Sequence, residues 1–140
     1  MKVKVFGDAK WDKYANYSQN LTIMGRLLRK EDYCKSLHAF RISLCFLRKM
    51  NFDTQTTRSV EIPACGGFMM AERTDEHLGL FEEDKEAVYF SSNKELLEKC
   101  LYYLENEEIR SKIAVAGRER AVASGYSNES MVRNILNRIL

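Results

Sequence analysis

The sequence predicts an α/β fold, an open and mostly parallel sheet flanked by helices, on three observations. Short strand-like runs alternate with helix-like segments as far as Phe90. One run, ISLCFL at residues 42–47, is almost continuously apolar, the pattern of a strand buried on both faces of a parallel sheet. Beyond Ser92 the apolar spacing is helical to the end of the chain.

The elements follow in order. VKVFG (residues 3–7) alternates and halts at Gly7, a strand opening into the polar, aromatic loop GDAKWDKYANYSQN. LTIMG (residues 21–25) reads as a second short strand, and EDYCKSLHAF as a helix with Tyr33, Leu37 and Phe40 at helical spacing. After ISLCFL come two further strands, GFMMA (residues 67–71) and AVYF (residues 87–90), with DEHLGLF between them as a short helix. Ser92 and Glu95 fit a capping box, followed by a stripe of Leu96, Leu97, Cys100, Leu101 and Leu104. Asn106 caps EEIRSKIAVAGRERAVAS, which stops at Gly125. Ser127 or Asn128 starts a last helix with Met131, Val132, Ile135 and Ile139 on one face.

Composition bounds the function. The chain has 140 residues, 45% apolar and 30% charged, which fits one globular domain spanning residues 1–140. Its formal charge of +2, from 22 basic and 20 acidic residues, gives no electrostatic case for nucleic acid. KVKVF after Met1 is too short and too charged for a signal peptide. No apolar run approaches the ~18 residues of a membrane span, so a cytoplasmic location is expected. Cys34, Cys45, Cys65 and Cys100 form no CxxC pair and no His stands at ligand spacing. Neither a metal nor a cofactor is expected, and the cysteines read as buried free thiols of a reducing compartment.

The chemistry concentrates in DTQTTRSVEIPACGG, residues 53–67. Ligands of open α/β sheets bind beyond the carboxyl ends of the strands, and this stretch follows such an end and precedes a helix. A helix start offers unpaired N–H groups and partial positive charge, which suit phosphate. Thr56 and Thr57 add hydroxyls and Arg58 a bidentate cation. Pro63 has no N–H, so the helix begins close to Glu61 or loses a bond. Gly66 and Gly67 supply a left-handed stop. Two readings of Glu61 stand: a first-turn carboxylate favoured by the helix end, worth up to about 1 kcal/mol, or an acceptor for the vicinal hydroxyls of a ribose. Periodicity alone favours the first.

Other residues have plain readings. His38 is a surface or packing residue, and His77, in an acidic TDEH stretch, is expected in solvent. Cys65 is a packed small residue with no base indicated. Trp11, Tyr14 and Tyr17 have two readings, stacking on a base or sugar or, the commoner role of loop aromatics, covering a core edge, and EEDKE at residues 82–86 is a solvated turn.

The chain from Val3 to its end, most densely between Arg41 and Ser127 and with residues 46–92 at the centre, resembles the C-terminal domain of GT-B glycosyltransferases, in particular the "glycosyl transferases group 1" family that includes spore-maturation-type proteins. Arg58, Ser59, Glu61, Ile62, Ala64, Cys65, Gly66 and Gly67 fit that family's R-S-x-E-I-x-A-C-G-G core. Gly117, Arg118, Glu119 and Arg120 fit its later G-x-E-R segment. The resemblance implies a Rossmann-like domain with a nucleotide-diphosphate-sugar site and glycosyl transfer of retaining type. Many such enzymes carry two acids with seven residues between them, and Asp53 and Glu61 have that spacing. By analogy Glu61 holds the ribose hydroxyls, while Asp53, where Glu is usual, acts catalytically at the donor sugar. Thr56, Thr57 and the Arg58 backbone border the diphosphate, Gly25 and Arg26 contact the base, and Glu72 and Arg73 line the cleft. Cations and a helix start stabilise the leaving diphosphate without a metal.

The resemblance also implies what is lacking. A GT-B enzyme has two Rossmann-like domains, and KVKVFGDAKW resembles the second strand of the C-terminal one. The first strand, with its basic pair, has no counterpart after Met1. The chain is therefore expected to be a partial domain, incomplete as a catalyst without an N-terminal acceptor domain, or completed by a homo-oligomer partner that fills the sheet. The alternative is a non-catalytic interaction module that keeps the fold. A response-regulator-like signalling domain ranks last, because Asp8 with Asp12 makes a poor acidic cluster.

Overall fold

Every strand pairing is parallel among the described residues, 1–26 and 30–139 of a computed structural model, with Lys30 described by its backbone. Contacts divide the chain into two units, Met1–Tyr33 and Cys34–Leu140.

In the first unit β1 (Val3–Val5) pairs with β2 (Leu21–Ile23), Val3 opposite Leu21 and Val5 opposite Ile23. The stretch read as a loop between them contains a 3-10 helix, Ala9–Tyr14, which the Asp8 carboxylate caps by accepting the Lys10 N–H at 3.1 Å. Asp8 is thus a capping residue. The Trp11 indole lies so close to Gly7 that any Cβ there would collide with it, which gives Gly7 a packing reason.

After α1 (Lys30–Ala39), the second unit has three strands in the order β3 (Ser43–Cys45), β4 (Met69–Glu72), β5 (Val88–Phe90). Leu44, Met70 and Val88 stand in register, as do Cys45, Ala71 and Tyr89. The crossovers carry α2 (Arg58–Ala64) and α3 (Asp75–Leu80), and α4 (Asn93–Glu105), α5 (Glu107–Ala123) and α6 (Asn128–Ile139) follow. Strand β3 is shorter than its apolar run because the chain leaves the ladder after Cys45: the Leu47 N–H donates to the Glu72 carboxylate at 3.0 Å.

One core joins Met70, Val88 and Phe90 of the sheet to Phe68, Cys100 and Tyr103 and to Ile113 of α5. Each large side chain so buried contributes about 1.5–3 kcal/mol. Burial pushes the Cys100 thiol and the Tyr103 phenol up. The α4 period is as expected but its buried face is turned. Leu96, Cys100 and Tyr103 face the core, while Leu97 and Leu101 are half exposed. The Ser92 hydroxyl accepts the Glu95 N–H at 3.2 Å, and the Glu95 carboxylate reaches back to the Ser91 N–H at 2.8 Å, one residue earlier than a capping box requires. Asn106 ends α4 and starts α5, and its side-chain amide donates to the Tyr102 carbonyl at 2.8 Å.

Two readings of the cysteines are corrected. Cys34 of α1 and Cys65 at the end of α2 form a disulfide with Cα atoms 5.3 Å apart, because helix α1 passes beside the α2 terminus. Cys45 and Cys100 are the buried free thiols. The 82–86 segment is more than a solvated turn: Asp84, in the left-handed region at φ 57, accepts the Tyr103 hydroxyl at 3.1 Å. The Glu86 carbonyl lies where a Cβ on Gly117 would be. No helix among the described residues is long and apolar enough to cross a membrane.

Candidate functional site

Helix α2 starts at Arg58, three residues before Glu61, so Pro63 lies inside it and the second of the two expected outcomes holds. The Ser59 carbonyl has no Pro63 N–H to accept. The helix ends as a Schellman motif, with the Gly67 N–H on the Ile62 carbonyl at 2.9 Å and the Gly66 N–H on Pro63 at 2.8 Å. Gly66 has φ +76, the left-handed stop that the glycine pair predicted. Packing against α5 fixes α2 from behind, since Gly117 brings Pro63 within 3.6 Å of where its Cβ would stand.

The loop before α2 meets the carboxyl end of β4. Thr74 caps α3 by accepting the His77 N–H at 3.1 Å and donates its own hydroxyl to the Thr54 carbonyl at 2.7 Å. His77 is 0% exposed, against the solvent position expected for it. Its Nδ1 lies 2.6 Å from the Glu72 carbonyl and its Nε2 2.7 Å from the Ser59 hydroxyl. Ser59, also buried, accepts the Thr56 N–H at 3.0 Å, and the Cys45 thiol lies 3.6 Å from the Thr56 hydroxyl. Tyr89 stacks on the imidazole at 5.8 Å and donates its hydroxyl to the His77 carbonyl at 2.7 Å, with burial holding its phenol well above the ordinary range.

The named site residues divide by place. Asp53 and Thr56 are half-buried in this loop, while Thr57, Arg58 and Glu61 are exposed at and after the start of α2. Glu72 ends β4, where its carboxylate holds Leu47. The Arg73 guanidinium is matched within the chain: it pairs with Glu83 through both terminal nitrogens and lies 3.6 Å from Glu95. The Glu83 hydrogen bond raises its pKa above the usual value. Lys99 closes that network, 2.9 Å from Glu95 and 3.5 Å from Glu83. Gly25, at φ +71, and Arg26, 3.9 Å from Asp8, belong to the other unit. No group of three metal-ligating side chains occurs among the described residues.

Sequence reading missed Ser59, Thr74 and His77 as parts of one network. A signal was present: DEHLGLF puts His77 and Phe81 one helical turn apart, and both are buried.

A parallel sheet with helices on its faces and a loop–helix element beyond β3 is a Rossmann-like arrangement. The chain belongs to the glycosyl transferase-like family, whose model matches residues 1–137. Three solved structures share the fold. TarM matches with a TM-score of 0.73 at 16% identity, over 98% of this chain and 28% of that one. A glycosyltransferase from Rickettsia africae ESF-5 gives 0.73 at 15%, over 98% and 38%. The C-terminal domain of the glycosyl transferase group 1 family protein LpcC from Francisella tularensis gives 0.62 at 15%, over 85% and 60%. The chain therefore spans less than two thirds of each of these chains. No curated protein matches it in sequence.

Proposed function

We propose that this chain is the donor domain of a glycosyltransferase, binding a nucleoside-diphosphate sugar at the 53–61 segment and acting with an N-terminal acceptor domain. The observation that carries the reading is the position of that segment. In a chain of the glycosyl transferase-like family, it lies at the carboxyl end of a parallel sheet with its backbone tied to β4 and α3. On this reading Glu61 accepts the ribose hydroxyls, and Thr56, Thr57 and Arg58 border the diphosphate. Asp53 faces the sugar. As the glycosidic bond breaks, negative charge grows on the leaving diphosphate, and a fixed cation and hydroxyl donors stabilise it without reorganising. Arg73 serves this site indirectly, because its charge is already matched by Glu83.

Calorimetric titration with uridine, guanosine and adenosine diphosphates tests the reading. Saturable binding to one of them is expected, weakened at least about tenfold, or ~1.4 kcal/mol, in Glu61→Ala. Undiminished binding in the variant would remove Glu61 from the site. The second reading, an interaction module that keeps the fold, is favoured by one observation: the apolar face of α6, with Met131, Val132 and Ile135, is more than half exposed. It predicts no saturable binding to any of the three diphosphates.

A further inference from the structure

We propose that His77 and Ser59 are positioning residues that set the backbone of loop 53–57, and through it the diphosphate-binding geometry. The functional half of this proposal rests on the donor-domain reading above.

The direction of each bond on the path from Glu72 to Thr56 can be assigned. The Glu72 carbonyl can only accept, so the proton of the neutral imidazole sits on Nδ1, 2.6 Å away. Nε2 is then an acceptor and takes the Ser59 hydroxyl proton at 2.7 Å. With that proton committed, the Ser59 oxygen accepts the Thr56 N–H at 3.0 Å. A chain of three bonds thus runs from the end of β4 to the loop. A second tie runs from the Thr74 hydroxyl to the Thr54 carbonyl at 2.7 Å. Thr74 also accepts the His77 N–H, so one short element holds the loop on both sides of Gln55.

A serine hydroxyl on a histidine nitrogen also resembles an activated nucleophile. The geometry decides against that use. Ser59 and His77 are both 0% exposed, so no substrate atom reaches the oxygen. The histidine is oriented by a backbone carbonyl, which cannot stabilise an imidazolium as a carboxylate does. What the pair can do is hold a backbone amide in place, and that amide belongs to Thr56.

The test uses the full chain, labelled with 15N. Long-range imidazole spectra at neutral pH should show His77 protonated at Nδ1 and bare at Nε2; the opposite tautomer would overturn the assignment. Amide exchange at Thr56 should rise at least tenfold in Ser59→Ala, while Met70 and Val88 keep their protection. Unchanged Thr56 exchange would sink the proposal. Should Ser59→Ala fail to fold, Thr74→Val cuts the second tie from outside the core and should loosen the same loop, and an unaltered loop there counts against it equally. Titration with uridine, guanosine and adenosine diphosphates and their nucleosides then reads the functional half. The diphosphate Kd should weaken at least fivefold in Ser59→Ala with the nucleoside Kd unmoved, and equal diphosphate affinity would overturn it. Absence of binding to the unaltered chain would overturn the donor reading, while the exchange result still decides the positioning.

Discussion

Gly117 sits in the middle of α5, where glycine ordinarily costs about 1 kcal/mol relative to alanine, yet a Cβ there would strike the Glu86 carbonyl oxygen. That oxygen is backbone and cannot swing away. Gly117→Ala should therefore destabilise the protein by about 1–3 kcal/mol despite its better helix propensity, read as a lower urea midpoint. An unchanged or higher midpoint would show that α5 slides freely over the 82–86 turn. The glycine of the G-x-E-R segment thus has a packing reason in this chain, one invisible without the 82–86 turn against it. The same contrast runs through the site. Asp53, Thr56, Thr57, Arg58 and Glu61, the residues of the proposed site, stood out because they fall within nine positions just past an apolar run. His77 was not, because its burial is made by Ser59 and Tyr89, which stand 18 and 12 residues away.

Helix boundaries and periods were well marked, while helix faces were not. Gly66 and Gly125 end α2 and α5 at φ +76 and +64, as their positions promise. The five-residue stripe of α4 was wider than the surface it meets, so Leu97 and Leu101 stay out and Tyr103 goes in. The start of α4 carries a pH dependence. The Ser91 N–H, and then Lys99, hold the Glu95 carboxyl below its ordinary value of 4.5. A lowered folded pKa means stability that is full above about pH 4.5 and lost as pH falls through the folded value. Glu95→Gln should flatten that acid limb in urea titrations between pH 5 and 3, with the neutral-pH curve less affected. The disulfide acts on a larger scale. It closes a 31-residue separation between α1 and α2, worth roughly 3–4 kcal/mol in the chain-entropy model. A Cys34→Ser/Cys65→Ser double variant should be less stable by about that amount in oxidising buffer and equal to the parent in reductant. Equal stability in both buffers would mean that the thiols are not joined in solution. Spacing alone could not reveal the pair, because no CxxC marks it.

At the scale of the molecule, parallel pairing was the most legible property. The run ISLCFL signalled it, although Phe46 of that run is exposed, and it is β4 that buries Met69, Met70 and Ala71 consecutively. The amphipathic pattern of α6 was equally plain, but its apolar side meets solvent, with Ile139 73% exposed. Ile135→Glu should therefore change unfolding stability by no more than about 0.5 kcal/mol, and a loss above 1 kcal/mol would show that this side is covered in solution. The order of the elements has a consequence for synthesis. Helix α2 leans on α5, whose Gly117 lies 54 positions beyond Pro63. A nascent chain leaving the ribosome can pair β3 with β4 and then β5, but the helix bearing Glu61 lacks its α5 support until that helix emerges. A chain cut between α4 and α5 would keep the ties of that helix to His77 and Cys34 and lose the surface on its other side, so the residues of the 53–61 segment depend for their support on residues far behind them in the chain.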